Sequence, residues 1–504
     1  MGWTKKRLEE VVRTRLGDAK LVIVANREPY IHQNRNGVIS CLRPASGLTT
    51  GLDPVMRACG GVWVAHGSGN ADFEVCDEHG RLAVPPESPC YTLHRVWLSP
   101  EEEEGYYYGF ANGTMWPLCH QAFQRPKFDP TDWEQYVAVN RKFTEAVLNE
   151  VDDEPGIIFV QDYHFALLPR MLKASRPDLV VAQFWHIPWP SREVFSICPW
   201  GDEILDGLLG NDLLAFHTQY HCNNFLETID GCLEARVDWE KFGVIRNGLT
   251  SLIRPYPISV DPDQAQYFLP ENLEAAEDRL RTQFRLNDLP FLVGVDRLDY
   301  TKGIPDRIRA VDRLLTLYPE MHGRFHFVQI AAPSRVNLCE YQDLAEETQA
   351  IVDEINWKYE EEGWQPIIYC PQHFGPETLY LLYRICSGCI VSPLHDGMNL
   401  VAKEFISSRD DEMGVLVLSR FTGAAKELPD SVLVNPYDLD ELAEALYRAL
   451  TMPLQEQQTR MRRLRDQVND NNIYRWAGML LSEAGKIITS SRPVELPRFG
   501  NLFH

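Results

Sequence analysis

Short apolar, β-branched runs alternate with helix-length periodic segments from one end of this chain to the other. That alternation confines it to βα units wound into parallel sheets. In the first half the strand candidates are Leu21–Ala25, Gly156–Val160, Val180–Trp185 and Leu213–Phe216. In the second they are Phe291–Val295, Phe325–Ile330, Ile367–Cys370, Cys389–Val391, Val415–Leu418 and Val432–Val434. The two sets part near Pro257–Pro262, and 504 residues exceed what one ordinary core holds. The expectation is an α/β protein of two doubly wound, Rossmann-like domains, 21–257 and 258–473. Residues 1–20 are expected to form a helical extension. Residues 474–504 carry a last helix and tail that either domain can hold.

Polar residues follow the strand candidates with unusual regularity. Asn26-Arg27 follows the first, Asp162-Tyr163-His164 the second and His186 the third. In the second half Arg297, Arg335 and Asp396 stand in the same relation to theirs. These are the carboxyl ends of parallel strands, where α/β proteins bind ligands. Two such ends facing one another predict a deep cleft lined by Arg, Lys, His and Asp. Turn chemistry alone also enriches polar residues there, so no single one of them is decisive.

The net charge of −23 makes nucleic acid and anionic membrane poor partners, so phosphorylated ligands need a local cluster of cations. No apolar run approaches the ~20 residues of a spanning helix. The first twenty residues lack the apolar core of a signal peptide. The twelve cysteines are scattered as in a reducing cytosol, and Cys386-Ser387-Gly388-Cys389 reads as core packing. A cytoplasmic protein is therefore expected.

Two segments carry chemistry. In Leu394-His395-Asp396-Gly397-Met398-Asn399-Leu400, running on to Glu404, a glycine turn leads into a helix whose first N–H groups suit an anion. Glu404 lies about two helical turns beyond Asp396. A phosphate at the helix start flanked by two carboxylates for hydroxyls describes a nucleotide-sugar site; an ordinary strand–turn–helix corner is the plain alternative. In Asp296-Arg297-Leu298-Asp299-Tyr300-Thr301-Lys302-Gly303 two cations stand five residues apart, suited to a diphosphate whose departure leaves negative charge. The plain alternative is salt bridging to Asp296 and Asp299.

Arg-Leu-Asp-Tyr-Thr-Lys-Gly followed by Asp-Gly-Met-Asn-Leu-Val-Ala-Lys-Glu resembles the trehalose-6-phosphate synthase family of retaining GT-B glycosyltransferases. The likeness runs from Asn26-Arg27 to the helix around Tyr474. It takes in Tyr107–Trp116, Gln161–His164, His186-Ile187-Pro188, Gln372-His373-Phe374 and Asn435–Asp438. The resemblance implies a GT-B fold in which Arg297 and Lys302 hold the donor diphosphate with backbone N–H groups near Asn399 and Leu400. It implies Glu404 on the ribose, and His186 and Asp396 on the transferred glucose beside Gly397 and Met398. Arg27 and Arg335 would grip a sugar phosphate in a pocket completed by Tyr107, Trp116 and Asp162; core packing is an alternative for the two aromatics. The resemblance also implies retention by front-face displacement, with the leaving phosphate taking the acceptor's proton. Arg297, Lys302, His186 and Asp162 are then the catalytic candidates.

The chain also departs from that pattern. Paired glycines of the donor loop become Pro44-Ala45-Ser46-Gly47, where Gly47 still lets the backbone approach a phosphate. Trp63–Gly69 places His66 where a tryptophan usually lines the acceptor pocket, and Arg-Asp-Gly becomes His395-Asp396-Gly397. Asn26–Tyr30 is also similar to glucosylglycerol-phosphate synthases. The expected activity is glucose transfer from a nucleotide-glucose, UDP-glucose foremost, to glucose 6-phosphate, giving trehalose 6-phosphate. The base, uridine, adenosine or guanosine, is expected to be chosen by backbone contacts, with His373-Phe374 the candidate segment. Another acceptor, a pseudo-glycosyl transfer, or a silent sugar-phosphate sensor are the alternatives. Asp261-Pro262-Asp263 reads as a turn, and no essential metal or cofactor is expected. Partners are small-molecule substrates, and self-association stays open.

Overall fold

The computed structural model describes residues 2–17, 19–44, 47–361 and 363–491. All ten strand candidates are strands, and they fall into two sheets. The first sheet has ten strands, ordered Arg236–Asp238, Gly243–Arg246, Leu249–Pro255, Leu213–Phe216, Val180–Phe184, Gly156–Gln161, Lys20–Ala25, Val62–His66, Tyr91–Val96 and Arg81–Val84. Its middle is parallel, and antiparallel strands close both edges. The second sheet is parallel throughout, in the order Ile367–Cys370, His326–Ala332, Phe291–Arg297, Gly388–Val391, Val415–Ser419 and Val432–Val434. Strands such as Gly156–Gln161 and Val180–Phe184 are buried along their whole length. Helices cover both faces, which is why these segments are continuous apolar runs.

Each sheet winds outward in both directions from its first strand, which creates a switch point beside that strand. In the first sheet the switch lies between Lys20–Ala25 and Gly156–Gln161, and their carboxyl ends lead into Asn26-Arg27 and Asp162. In the second it lies between Phe291–Arg297 and Gly388–Val391, whose ends carry Arg297 and the loop to Asn399. Strand order, more than any single motif, gathers the polar residues at one cleft.

Helix Lys5–Arg15, capped by Thr4, packs on the last helix, Ile473–Ser491. Trp476 of that helix reaches Phe159 and Phe184 under the first sheet, with ring centroids 5.7 and 5.1 Å away. The segment Glu104–Met115 is a π-helix, a wider winding that periodicity did not reveal. Also unforeseen were the hairpin Ile31–Leu42 and the strands Val62–His66, Arg81–Val84 and Tyr91–Val96. Cys386 and Cys389 are buried free thiols, in keeping with core packing. Among the described residues no helix is long and apolar enough to cross a membrane.

Candidate active site

A cavity of about 840 Å³ opens between the carboxyl ends of the two sheets. Of the residues singled out in the sequence, Arg27, Tyr107, Trp116, Asp162, His186, Arg297, Lys302, Arg335, Phe374, Asp396, Met398, Asn399, Leu400 and Glu404 all line it. Gly47 opens helix Gly47–Cys59, whose Leu48 and Thr49 also face the cavity. Ala45 and Ser46 lie outside the described residues.

His66 and Gly397 stand behind the wall. His66 ends its strand with Nδ1 3.2 Å from the carbonyl oxygen of Val96, so its ring is occupied by the neighbouring strand. Gly397 packs on the His186 carbonyl, and a Cβ there would lie 2.2 Å from that oxygen. Only glycine lets the two loops come so close.

Arg297 ends its strand, and Lys302 stands on the loop that follows. Lys302 ends a 3-10 turn, Tyr300–Lys302, and Gly303 follows with φ +61° against the Ser392 carbonyl. Among the described residues neither Asp296 nor Asp299 forms a direct ion pair with Arg297 or Lys302, contrary to the plain salt-bridge reading. Asp296 Oδ2 accepts from the buried Arg307 (2.7 Å), which also donates to Ser392 Oγ, Gln329 Oε1 and the Lys302 carbonyl. Asp299 Oδ2 accepts from Arg335 Nη1 at 2.9 Å, and its Oδ1 takes the Thr301 amide and hydroxyl. Burial pushes the Asp299 carboxyl up, but Arg335, Arg297 and Lys302 hold it far below the usual range. Among the described residues Arg297 forms no ion pair. Its guanidinium carbon lies 5.6 Å from the Trp116 ring centre, and that of Arg335 lies 4.1 Å from the same ring.

Lys302 Nζ is 2.6 Å from Asp396 Oδ2, which also accepts from Asn399 Nδ2 (3.1 Å). Asn399 caps helix Leu400–Ser408, whose first N–H groups lack intrahelical partners. On the opposite wall Arg27 Nη2 donates to Tyr107 Oη at 3.2 Å, and Tyr107 stacks on His164. Burial pushes the Tyr107 hydroxyl up, yet Arg27, Arg335 and Arg297 pull it down to about 8. Asp162 Oδ1 accepts the His186 amide (3.1 Å). Burial raises the Asp162 and Glu404 carboxyls each to about 7, and lowers the His186 imidazole to about 3. His186 Nε2 lies 3.0 Å from Gln161 Oε1. An amide oxygen accepts, so Nε2 holds the proton and Nδ1 remains an acceptor.

Three lining residues other than glycine hold positive φ: Asp162 (+69°), Arg335 (+49°) and Asn399 (+81°). Such backbone costs about 1–3 kcal/mol each and persists where its surroundings impose it. Sequence reasoning did not single out Arg307, His120 or Tyr383, which are buried in or behind the wall, and nothing in their local sequence marks them. Asp261, within the literal Asp-x-Asp, accepts from Tyr474 Oη (2.8 Å) and the Asp263 amide, as a turn residue does. Among the described residues no group of three or more His, Cys, Asp or Glu is placed to hold a metal ion.

The family model described as glycosyltransferase family 20 matches residues 19–486. The chain belongs to glycosyltransferase family 20. Its relatives in this family include the trehalose-6-phosphate synthase of Mycobacterium marinum, 38% identical over 492 residues and covering 95% of each chain. That of Mycobacterium tuberculosis is 37% identical over 478 residues, covering 92% of this chain and 94% of the other. Among solved structures, an E. coli trehalose-6-phosphate protein bound with UDP-2-fluoro glucose superposes with a TM-score of 0.82. It is 32% identical and covers 93% of this chain and 99% of its own. The Burkholderia xenovorans α,α-trehalose-phosphate synthase (UDP-forming) in complex with glucose-6-phosphate also gives 0.82 at 32% identity, covering 92% and 100%. The two sheets facing across a cleft are thus the GT-B fold of this family, and the chain is a glycosyltransferase.

Proposed function

We propose that this family 20 enzyme transfers glucose from UDP-glucose to glucose 6-phosphate, forming trehalose 6-phosphate with retention at the donor carbon. The observation that carries the reading is the Trp116 ring, against which Arg297 and Arg335 both lie. Two guanidinium groups so close together suit a leaving diphosphate beside an acceptor phosphate. The names of the relatives and the ligands of the two solved structures support the same choice.

In this account Arg297, Lys302 and the amides opening helix Leu400–Ser408 take the diphosphate, and Glu404 takes the ribose hydroxyls near Phe374. Asp396 and the Nδ1 lone pair of neutral His186 accept from the glucose hydroxyls, with Met398 beside them. Arg27 and Arg335 hold the acceptor phosphate, while Tyr107, Trp116 and Asp162 complete its pocket. Residues 21–257 then supply most of the acceptor side and 258–473 the donor side. No side chain acts as nucleophile. Cations stabilise the charge that develops on the departing phosphate, and that phosphate takes the proton of the attacking hydroxyl.

The test is incubation with UDP-, ADP- and GDP-glucose and with glucose 6-phosphate or glycerol 3-phosphate. The expected result is UDP release with glucose 6-phosphate and an α,α-linked product by NMR. Release only with another acceptor, or with none, contradicts the assignment.

A further inference from the structure

The loop Leu394–Asn399 touches the amino-terminal half on both sides of Asp396. Gly397 packs on the His186 carbonyl, and His395 Nδ1 lies 2.5 Å from the carbonyl oxygen of His120. A carbonyl only accepts, so His395 Nδ1 carries the proton and donates it.

His120 is the last residue of the short helix Trp116–His120, and its carbonyl is one of those a helix end leaves without an intrahelical donor. The His120 ring is buried, lies 4.0 Å from the Trp116 ring centroid, and bonds through Nδ1 to the Trp116 carbonyl (2.9 Å). Trp116 is the ring that Arg297 and Arg335 share. One hydrogen bond therefore joins the loop that pairs Asp396 with Lys302 to the helix end that steadies the Trp116 face.

We propose that His395 is a cross-cleft positioning residue, whose Nδ1–H clasps the His120 carbonyl and keeps the Asp396 loop in register with Trp116. This rests on the glycosyl-transfer reading above. The clasp touches neither substrate; it sets the relative placement of the two. Such placement governs the chemical step more than the affinity of either ligand alone. The donor's nucleotide meets Arg297, Lys302 and Glu404, whereas the hydrogen bond of His395 goes to His120.

The test compares His395→Leu, which removes the donor, with His395→Asn, whose Nδ2–H stands where the imidazole Nδ1–H stood. Kinetics with UDP-glucose and glucose 6-phosphate are read beside UDP binding by calorimetry. The leucine variant is expected to lose on the order of 10- to 100-fold in kcat, the scale of a small misplacement of reacting groups. Its UDP dissociation constant should stay within about threefold of the parent, and asparagine should restore kcat to within about threefold. A leucine variant as active as the parent overturns the clasp, and so does an asparagine variant no better than leucine. If leucine unfolds below the assay temperature, His395→Ala, which also lacks a donor, takes its place in the same comparison. A parent protein that transfers no glucose contradicts the functional reading instead, which is a separate outcome.

Discussion

Lys302 Nζ lies 2.6 Å from Asp396 Oδ2, joining the two loops that leave the switch point of the second sheet. Both side chains are largely buried, and burial pushes the Asp396 carboxyl up while Lys302 draws it below its ordinary value. Removing the cation strands the carboxylate. Lys302→Met should therefore cost about 2–3 kcal/mol at pH 7.5 by denaturant unfolding. Without Lys302 the Asp396 carboxyl titrates above its unfolded value, so the deficit should shrink as pH falls towards 4. Adding Asp396→Asn should recover more than about 1 kcal/mol, since the two residues form one unit. Equal, additive losses would contradict the pairing.

Arg297 makes no ion pair among the described residues, whereas Arg335 is bound to Asp299. Arg297→Ala should leave the melting temperature close to the parent and reduce kcat by at least about 100-fold, near 3 kcal/mol of transition-state stabilisation. Arg335→Ala should behave differently, with a raised acceptor KM and lower stability, because Asp299 is left buried and charged. Circular dichroism melts beside initial rates separate the two patterns.

Burial raises the Tyr107 hydroxyl, stacked on His164, but the charges of Arg27, Arg335 and Arg297 outweigh it and bring it from an ordinary 10 down to about 8. Above that value its phenolate answers the same positive charges that an acceptor phosphate needs. Acceptor kcat/KM should fall as pH rises through 8 in the parent, and Tyr107→Phe should lack that limb. An identical alkaline limb in the phenylalanine variant would dissociate Tyr107 from it.

Glu404 is buried with its carboxyl raised from an ordinary 4.5 to about 7. Its protonated form is the one folding favours. The penalty for ionisation is absent below about 4.5, grows between the two values and is complete above about 7. Glu404→Gln should thus stabilise the protein by up to about 3 kcal/mol at pH 8 and by nothing at pH 4. The same change should weaken UDP binding by about tenfold if Glu404 accepts from the ribose. Destabilisation at pH 8 would contradict the burial argument.

The parallel strands were legible because a strand buried on both faces is a continuous apolar run, as in Phe291–Val295 and Val415–Leu418. The residues at their carboxyl ends were legible for the same reason. Val62–His66 and Tyr91–Val96 were not, since each mixes aromatic or polar residues into the run. The π-helix Glu104–Met115 obeys neither period, so the Tyr107–Trp116 block gave residues without a shape. Asp296 and Asp299 look from sequence like counter-charges of their own loop. Their true partners, Arg307 and Arg335, are fixed by the packing of neighbouring elements. His120 has no local signal because its neighbour His395 comes from 275 residues away.

A crystal structure with UDP and glucose 6-phosphate together tests the central claim most directly. The account predicts the diphosphate within hydrogen-bond reach of Arg297 and Lys302, and the acceptor phosphate between Arg27 and Arg335, on either side of Trp116. Arg297 and Lys302 turned to bulk solvent, with the nucleotide bound elsewhere, would contradict it.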